Sequence, residues 1–546
     1  MNNQLDHRGF MLDVSRHFMP VEHIKRLIEG AALCGMNRMH WHLTDDQGWR
    51  IEIQRYPQLT EIGSRRGWSW FGSASGTENN CGFYTQSDVR SIVAFAKDHN
   101  IEIIPEIEIP GHASALLAAM PECGCRRFGL RNPYHYTVMT SAGIFPNLVC
   151  AGRDDTLHVI QNILDEVIAL FPFPAIHIGG DETPKLHWRR CPDCQQRMES
   201  LGIATEDELQ RWMMLQIGEY LAKKGRRTVV WSDVLAGGML PKHFIVQQWL
   251  NDASMVSDFM KAGGQVICSD TRYYYFDYVY GATDVHAIWN HSMIPEYAQG
   301  HEQNFLGVEC PLWTEYITNI DRAAFMLFPR LTAVGLRAGG DDSPDWDSFV
   351  ARVKRVQAEI DALGLVGAPE PLWHMSTEAA AADREAFCAS VRAQGALRYI
   401  ELEEQLMLVE KTERLMENIH MPREFMLEVG DAAFGEYPSD DGRVELARQL
   451  AIALHNREDG PWTGLPENVW IDTMSAFSRF VNEHRRSTGR WGFDRGFWTT
   501  RQINAKLFRL GELEYELLGG DGAPFEIALH IPSDVHLITP AIKYPQ

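Results

Sequence analysis

The sequence has no run of about 18 apolar residues, so no segment is expected to cross a membrane as a helix. It has no excess of positive charge. Lys and Arg total 51 against 73 Asp and Glu, which leaves a formal net charge of −22. A nucleic-acid partner needs a basic face, so none is expected. The first residues, MNNQLDHRGFMLDV, lack the basic start, apolar stretch and small-residue cleavage site of a secretory leader. A cytoplasmic location is therefore expected. Ten cysteines in 546 residues fit that location better than a disulfide scaffold. Cys34, Cys268 and Cys310 sit inside apolar runs, where a free thiol acts as a small hydrophobe. There is no internal repeat and no low-complexity tract.

What is present is a globular composition, 45% hydrophobic and 23% charged, in a chain long enough for two or three domains. Short apolar runs suited to buried strands occur at Gly9–Val14, Asn37–Leu43, Ile101–Glu108, Ala175–Gly179, Thr228–Trp231, Phe244–Trp249, Gln265–Ser269 and Asn304–Glu309. Helical periodicity lies between several of them. Val21–Cys34 carries apolar residues at 24, 27, 28 and 31. Ser87–His99 is read as starting on a Ser cap, and Glu206–Lys224 puts Leu209, Trp212, Met213, Ile217 and Leu221 on one face. Eight strands alternating with helices predict a parallel sheet, and eight is the number that closes a (β/α)8 TIM barrel. An open doubly wound sheet would call for a Gly-rich phosphate turn after the first strand. The chain instead runs into Asp13-Val-Ser-Arg16.

The barrel is expected over residues 1–360. Long connections at 68–83 and 120–152 are candidates for building a site at its mouth. After about residue 360 the composition shifts. Glu378–Met416, Val444–His455 and Trp470–His484 look helical, and Phe525–Leu537 has β-like patches. Residues 361–546 are read as a mainly α-helical C-terminal domain.

Polar residues gather where the strands end, and in a barrel those ends converge on one mouth. They are Asp13 and Arg16; His40-Trp-His42-Leu-Thr-Asp45-Asp46; Glu106-Ile-Glu108-Ile-Pro-Gly-His112; and His177-Ile-Gly-Gly-Asp181-Glu182. Then come Trp231 and Asp233, Trp249, Tyr275-Phe-Asp277, and Trp313-Thr-Glu315. One strand-end Asp alone is usually a helix cap, and one Trp alone is usually core. Eight strand ends with the same bias suit a sugar site, because sugar rings stack on Trp and their hydroxyls bond to carboxylates and Arg. In Gly179-Gly180-Asp181-Glu182 two glycines permit a sharp turn that presents adjacent carboxylates. Like charges that close push one pKa up, and a raised Glu pKa is what a general acid needs near neutral pH. His112, with Glu108 behind it, is positioned to tune that acid.

Six segments in this order resemble the glycoside hydrolase family 20 hexosaminidases. They are Leu12-Asp-Val-Ser-Arg-His-Phe18, His40-Trp-His-Leu-Thr-Asp-Asp-Gln-Gly-Trp-Arg50, Pro105-Glu-Ile-Glu-Ile-Pro-Gly-His112, His177-Ile-Gly-Gly-Asp-Glu182, Trp313-Thr-Glu315 and Phe328-Pro-Arg-Leu331. The resemblance covers roughly residues 5–355, so it implies a form without the small α+β domain that often precedes the barrel. It implies exo-hydrolysis of terminal β-linked GlcNAc or GalNAc with retention, using the substrate's own 2-acetamido oxygen as nucleophile. Glu182 is then the acid and base, Asp181 orients the acetamido group, Tyr275 donates to its oxygen, and His112 tunes the acid. Trp231, Trp249 and Trp313 wall the pocket, while Arg16, Asp45, Asp277 and Glu315 hold sugar hydroxyls. The implied partner is an N-acetylhexosamine-terminated oligosaccharide or glycoconjugate. No cofactor and no catalytic metal is implied, and a homodimer is expected. Two departures stand out. Glu108 occupies a position where many relatives carry Asp, and Thr332-Ala-Val-Gly-Leu-Arg337 replaces a stretch that often holds an Ala-Glu pair, which puts the last helix in question.

Two other readings use the same residues. His40-Trp-His42 has the His-x-His spacing of a metal-dependent amidohydrolase, which a chelator would inhibit. A barrel that binds glycans without turnover would be expected to have lost Asp181, Glu182 or Tyr275, and all three are present. Residue types alone leave the choice between GlcNAc and GalNAc open. They also leave open whether the Cys123/Cys125 and Cys191/Cys194 pairs hold zinc or are ordinary loop thiols.

Overall fold

The computed structural model describes residues 4–66, 81–126, 136–140, 143–250, 253–278, 280, 283–315, 317–374 and two strands at 514–518 and 526–530. The chain divides into two compact units, Met1–Glu403 and Glu404–Gln546.

The first unit contains a closed barrel of eight parallel strands, each hydrogen-bonded to its neighbours in chain order. These are β1 (His7–Asp13), β2 (Arg38–His42), β3 (Glu102–Glu106), β4 (Ala175–His177), β5 (Arg227–Trp231), β6 (Phe244–Gln248), β7 (Gln265–Cys268) and β8 (Phe305–Leu312). All eight strands expected from sequence form, within a few residues of the expected bounds. The ring closes where β1 pairs with β8, Phe10 opposite Cys310 and Leu12 opposite Leu312. Strands covered on both faces read as continuous apolar runs, and Phe10, Met11 and Leu12 are all fully buried.

Around the strands lie α1 (Val21–Leu33), α2 (Gln86–Asp98), α3 (Asp154–Leu170), α4 (Glu206–Lys223), α5 (Ser254–Lys261), α6 (Ile320–Leu327), α7 (Arg330–Ala338) and α8 (Trp346–Ala362). The start of α2 corrects the sequence reading. Thr85, not Ser87, is the cap, because Asp88 at the third helical position completes a reciprocal capping box. Thr205 and Glu208 form the same box on α4. The last helix, questioned from sequence, forms as α7. Among the described residues no helix is long and apolar enough to cross a membrane.

The barrel has two kinds of filling. Ile104, Ala175, Val229, Ile245 and Ile267, from five neighbouring strands, pack into one apolar cluster. Nearer the strand ends the filling is polar. Glu309 of β8 takes hydrogen bonds from His7 (2.9 Å), His40 (2.8 Å) and Gln247 (2.7 Å). Glu106 of β3 bonds to His42 and accepts the Trp231 indole N–H at 2.9 Å. Strands that are not adjacent can meet this way only through the barrel interior. Each carboxylate is fully buried, and its imidazole partners offset the desolvation cost.

In the second unit the described strands Glu514–Leu518 and Glu526–His530 pair antiparallel, with Tyr515 opposite Leu529. The second strand falls within the β-like stretch read from sequence. The helical segments expected at 378–416, 444–455 and 470–484 lie outside the described residues.

Candidate active site

The mouth of the barrel is built from the C-terminal ends of its strands. β4 ends in the Gly179-Gly180-Asp181-Glu182 turn, where Gly179 (φ +67°), Gly180 (φ +105°) and Glu182 (φ +42°) all take left-handed backbone. A side chain at Gly179 would stand 1.8 Å from a Glu108 oxygen, and one at Gly180 would stand 2.5 Å from Val234. The turn is therefore closed to larger residues. The Gly180 N–H donates to Glu108 Oε1 (3.0 Å), the Glu182 N–H to Asp233 Oδ1 (3.2 Å), and Gln210 donates to the Gly180 carbonyl (2.6 Å). A non-glycine residue in this backbone region costs about 1–3 kcal/mol and persists only where its surroundings hold it.

The turn separates two carboxylates by environment. Asp181 is only 9% exposed, and its Oδ1 has no hydrogen-bond partner. The Glu182 side chain is about a third exposed. Burial pushes the Asp181 pKa up to about 7, with Asp233 and Glu182 adding to the rise and His112 opposing it. The raised carboxyl pKa, expected on the glutamate of this turn, is found instead on Asp181, where burial is deeper.

His112 (φ +47°) stands over both carboxylates, its Nε2 3.4 Å from Glu182 and 3.8 Å from Asp181. Its Nδ1 lies 3.2 Å from Asp45 and 3.1 Å from Asp46. Burial opposes a charge on this ring, but Asp45 and Asp46 outweigh it and hold the His112 pKa well above 6.5. This corrects the expected relay. The acids behind His112 come from the β2 loop, whereas Glu108 turns away to cap Gly180. Burial, together with the charges of Asp181 and Glu106, drives the Glu108 pKa well up.

Arg16 is 6% exposed and tied to Asp45 (2.8 Å), Asp13 (3.3 Å) and Glu315 (3.7 Å). Its guanidinium lies 5.0 Å from the centre of the Trp313 ring. Asp45 is almost fully buried between Arg16, His42 (3.0 Å) and His112. Asp13 accepts from the backbone of Ser15, Arg16 and Thr314 and from the Thr314 hydroxyl, joining the ends of β1 and β8.

Four aromatic rings follow one another across the mouth. Trp231 and Trp313 are 6.2 Å apart, Trp313 and Tyr275 6.4 Å, and Tyr275 and Trp249 6.3 Å with nearly parallel planes. Asp233 receives the Trp249 indole N–H (2.7 Å), so one carboxylate braces both Trp249 and the Glu182 backbone. Arg330, fully buried, donates to the carbonyls of Phe276 (2.7 Å) and Tyr278 (2.8 Å), which fixes the loop carrying Tyr275 and half-buried Asp277. Arg16, Asp45, His112, Asp181, Glu182, Trp231, Trp249, Tyr275, Trp313 and Glu315 are linked through these contacts, and Asp277 follows Tyr275 on the same loop. The supporting residues Asp13, Asp46, Asp233 and Arg330 were visible as strand-end or motif residues, but only the fold reveals whom each one holds.

The His-x-His pair has other partners. Burial opposes charge on His40 and His42, but Glu106 and its neighbours raise them to about 9 and about 10.

Residues 5–338 match the model of glycosyl hydrolase family 20, catalytic domain, and residues 397–505 match that of an N-acyltransferase N-terminal domain. A "Beta-hexosaminidase" of Porphyromonas gingivalis is 38% identical over 372 residues, covering 66% of this chain and 46% of the relative. One from Vibrio furnissii is 35% identical, covering 60% of this chain and 56% of the relative. The chain thus spans about half the length of these curated relatives. Among solved structures, a β-N-acetylhexosaminidase from Bacteroides fragilis aligns with a TM-score of 0.58 at 32% identity, covering 67% of this chain and 73% of that one. A Vibrio harveyi family 20 exo β-N-acetylglucosaminidase in complex with N-acetylglucosamine aligns with a TM-score of 0.58 at 31% identity, covering 67% and 59%. The matched segment runs from the first barrel strand to the helix that anchors the Tyr275 loop, takes in every residue of the mouth, and makes up more than half of the chain, which belongs to glycosyl hydrolase family 20.

Proposed function

We propose that this chain is an exo-acting β-N-acetylhexosaminidase that removes terminal, non-reducing β-linked GlcNAc or GalNAc with retention, through an oxazolinium intermediate. The observation that carries the reading is Asp181. It is buried, it has an oxygen without a hydrogen-bond partner, and its charge acts on Tyr275, one of the clustered aromatic rings. That is the environment an acetamido N–H needs if its carbonyl oxygen is to attack the anomeric carbon.

In this reading the acetamido group sits among Trp231, Trp249, Tyr275 and Trp313. Asp181 accepts its N–H and balances the positive charge that grows on nitrogen as the ring closes. Tyr275 donates to the acetamido oxygen and aims it. Glu182, the more exposed carboxyl, protonates the leaving oxygen and then takes a proton from the attacking water. His112, held cationic by Asp45 and Asp46, keeps both carboxylates in place. Arg16, Asp277 and Glu315 take sugar hydroxyls. Asp45 serves the same hydroxyls through Arg16, because its own oxygens are engaged by Arg16, His42 and His112. Holding nucleophile and electrophile in one molecule supplies roughly 7–11 kcal/mol of a barrier when the geometry is right. The names of the relatives support the sugar class.

The test is p-nitrophenol release from the β-GlcNAc and β-GalNAc glycosides by wild type and Glu182→Gln. Turnover by wild type with a large kcat loss in the variant is the expected result. A folded wild type inert on both sugars would sink the reading. Size-exclusion with light scattering checks the expected homodimer. For residues 361–546 the reading is a mainly helical module, and the match over 397–505 supports acyl transfer as its chemistry. Thiol release from an acyl thioester supplied with an amine acceptor, at a rate indifferent to Glu182→Gln, checks that; no release counts against it.

A further inference from the structure

Four cysteines outside the sugar pocket meet where the connections after β3 and β4 come together. Cys125 follows the short helix Pro121–Cys123, Cys150 precedes α3, and Cys191 and Cys194 span the start of the helix Pro192–Leu201. The sulfurs of Cys125 and Cys194 are 4.0 Å apart, those of Cys150 and Cys191 3.8 Å, and those of Cys150 and Cys194 3.6 Å. All four lie within 4.8 Å of one another, and all four are buried. A tetrahedral zinc ion with Zn–S bonds of about 2.3 Å sets its sulfurs about 3.8 Å apart. A disulfide would need about 2.05 Å, and Cys150 stands nearly midway between two candidate partners. This is the geometry of a cage, not of two bonded pairs. Cys123, which the sequence spacing paired with Cys125, is outside it. Its place is taken by Cys150, far off in the chain.

The surroundings suit a charged centre. Cys191-Pro-Asp-Cys194 has the C-x-x-C spacing common at structural zinc. Gly152 lies against the Asp193–Cys194 backbone so closely that a side chain there would clash at 2.2–2.4 Å. Arg126 pairs with Asp193 (3.4 Å) in the turn between Cys191 and Cys194, which puts a cation beside the sulfurs. Four buried sulfurs this close cannot all ionise without a cation among them.

The geometry points to a structural Zn2+ site formed by Cys125, Cys150, Cys191 and Cys194, which clamps the β3–α3 connection to the β4–α4 connection beside the sugar site. Binding releases the thiol protons and leaves four Zn–S bonds. The clamp reaches the site by short links. Between Glu182 and Cys191, the fully buried Trp188 donates to the Val149 carbonyl (2.9 Å). The Val149 N–H donates in turn to Pro110 (3.0 Å), two residues before His112. The four cysteines are thus positioning residues for the loops that carry His112 and Glu182.

The experiment is elemental analysis of the full chain purified without added metal, beside Cys191→Ser and Cys123→Ser. One zinc per chain is expected in wild type and Cys123→Ser, and less than a tenth of that in Cys191→Ser. Exchange with Co2+ in wild type should give the intense thiolate-to-metal absorption of a tetrahedral site, a readout that does not require any variant to fold. Slow removal of zinc by a strong chelator should lower kcat more than it changes KM, and zinc should restore it. Wild type that holds no zinc and binds no cobalt, whether its cysteines are free thiols or disulfides, overturns the proposal. Stoichiometric iron in place of zinc overturns the choice of metal. Full zinc retention in Cys191→Ser overturns the ligand set.

Discussion

Replacing Asp181 by Asn should make the barrel more stable and the enzyme far slower, and the stability gain should depend on pH. Asp181 carries a carboxyl whose pKa in the fold is about 7 against 3.8 for the ordinary side chain, chiefly because it is buried. A raised carboxyl pKa means that the ionised form is what the fold disfavours. The penalty is absent below about pH 3.8, grows as pH rises between the two values, and is complete above about pH 7. At about 1.4 kcal/mol per pKa unit it reaches about 4 kcal/mol at pH 8 and about 1.5 kcal/mol at pH 5. Asn has nearly the same shape and no charge to desolvate. Asp181→Asn should therefore raise the Tm of the barrel transition by several degrees at pH 8, and by less than half as much at pH 5. Its kcat should fall about 100- to 1000-fold, the usual cost of removing one preorganised group aimed at developing charge, with KM changed much less. Scanning calorimetry at the two pH values, with steady-state kinetics on the aryl glycosides, measures both effects. An Asn variant no more stable than wild type at pH 8, or equally stabilised at both pH values, would refute the reasoning.

The same carboxyl should shape the activity profile. In the proposed mechanism Asp181 works ionised, balancing charge on the acetamido nitrogen, so kcat/KM should fall as pH drops below about 7. His112→Asn removes a cation that favours the Asp181 carboxylate and should move this acid limb to higher pH; an unmoved limb in the pH–rate profile would count against the pairing. Arg330→Lys leaves the buried carbonyls of Phe276 and Tyr278 short of donors, at about 1–3 kcal/mol for each group. Thermal unfolding should show the loss, and kinetics should show a raised KM as Tyr275 and Asp277 lose their fixed loop.

The sequence made most of the frame legible because a barrel writes itself as eight buried runs, each ending in polar residues. Arg16, Asp181, Glu182, Tyr275 and the three tryptophans could be picked out because each follows a run of that kind. Pairings across the mouth were harder to foresee. Glu108 and His112 are four residues apart, which suggested contact, but the chain turns between them and Glu108 serves Gly180. The acids behind His112 arrive from another strand. Adjacency of Asp181 and Glu182 suggested a raised Glu pKa, yet the rise is on buried Asp181, because burial decides it and no local pattern encodes burial. Ser87 lost the cap to Thr85 because the reciprocal bond with Asp88 decides the start of a helix. Cys150 escaped notice because a metal cage draws on cysteines that spacing alone does not pair.

The most direct test of substrate-assisted catalysis is the rate with p-nitrophenyl β-glycosides whose N-acetyl group carries none, one, two or three fluorines. Fluorine weakens the carbonyl oxygen as a nucleophile while leaving the sugar and the leaving group alone. If that oxygen attacks the anomeric carbon, kcat/KM falls steeply with each fluorine. A flat series would mean that an enzyme carboxylate or water attacks instead, and that neither Asp181 nor Tyr275 serves an acetamido nucleophile.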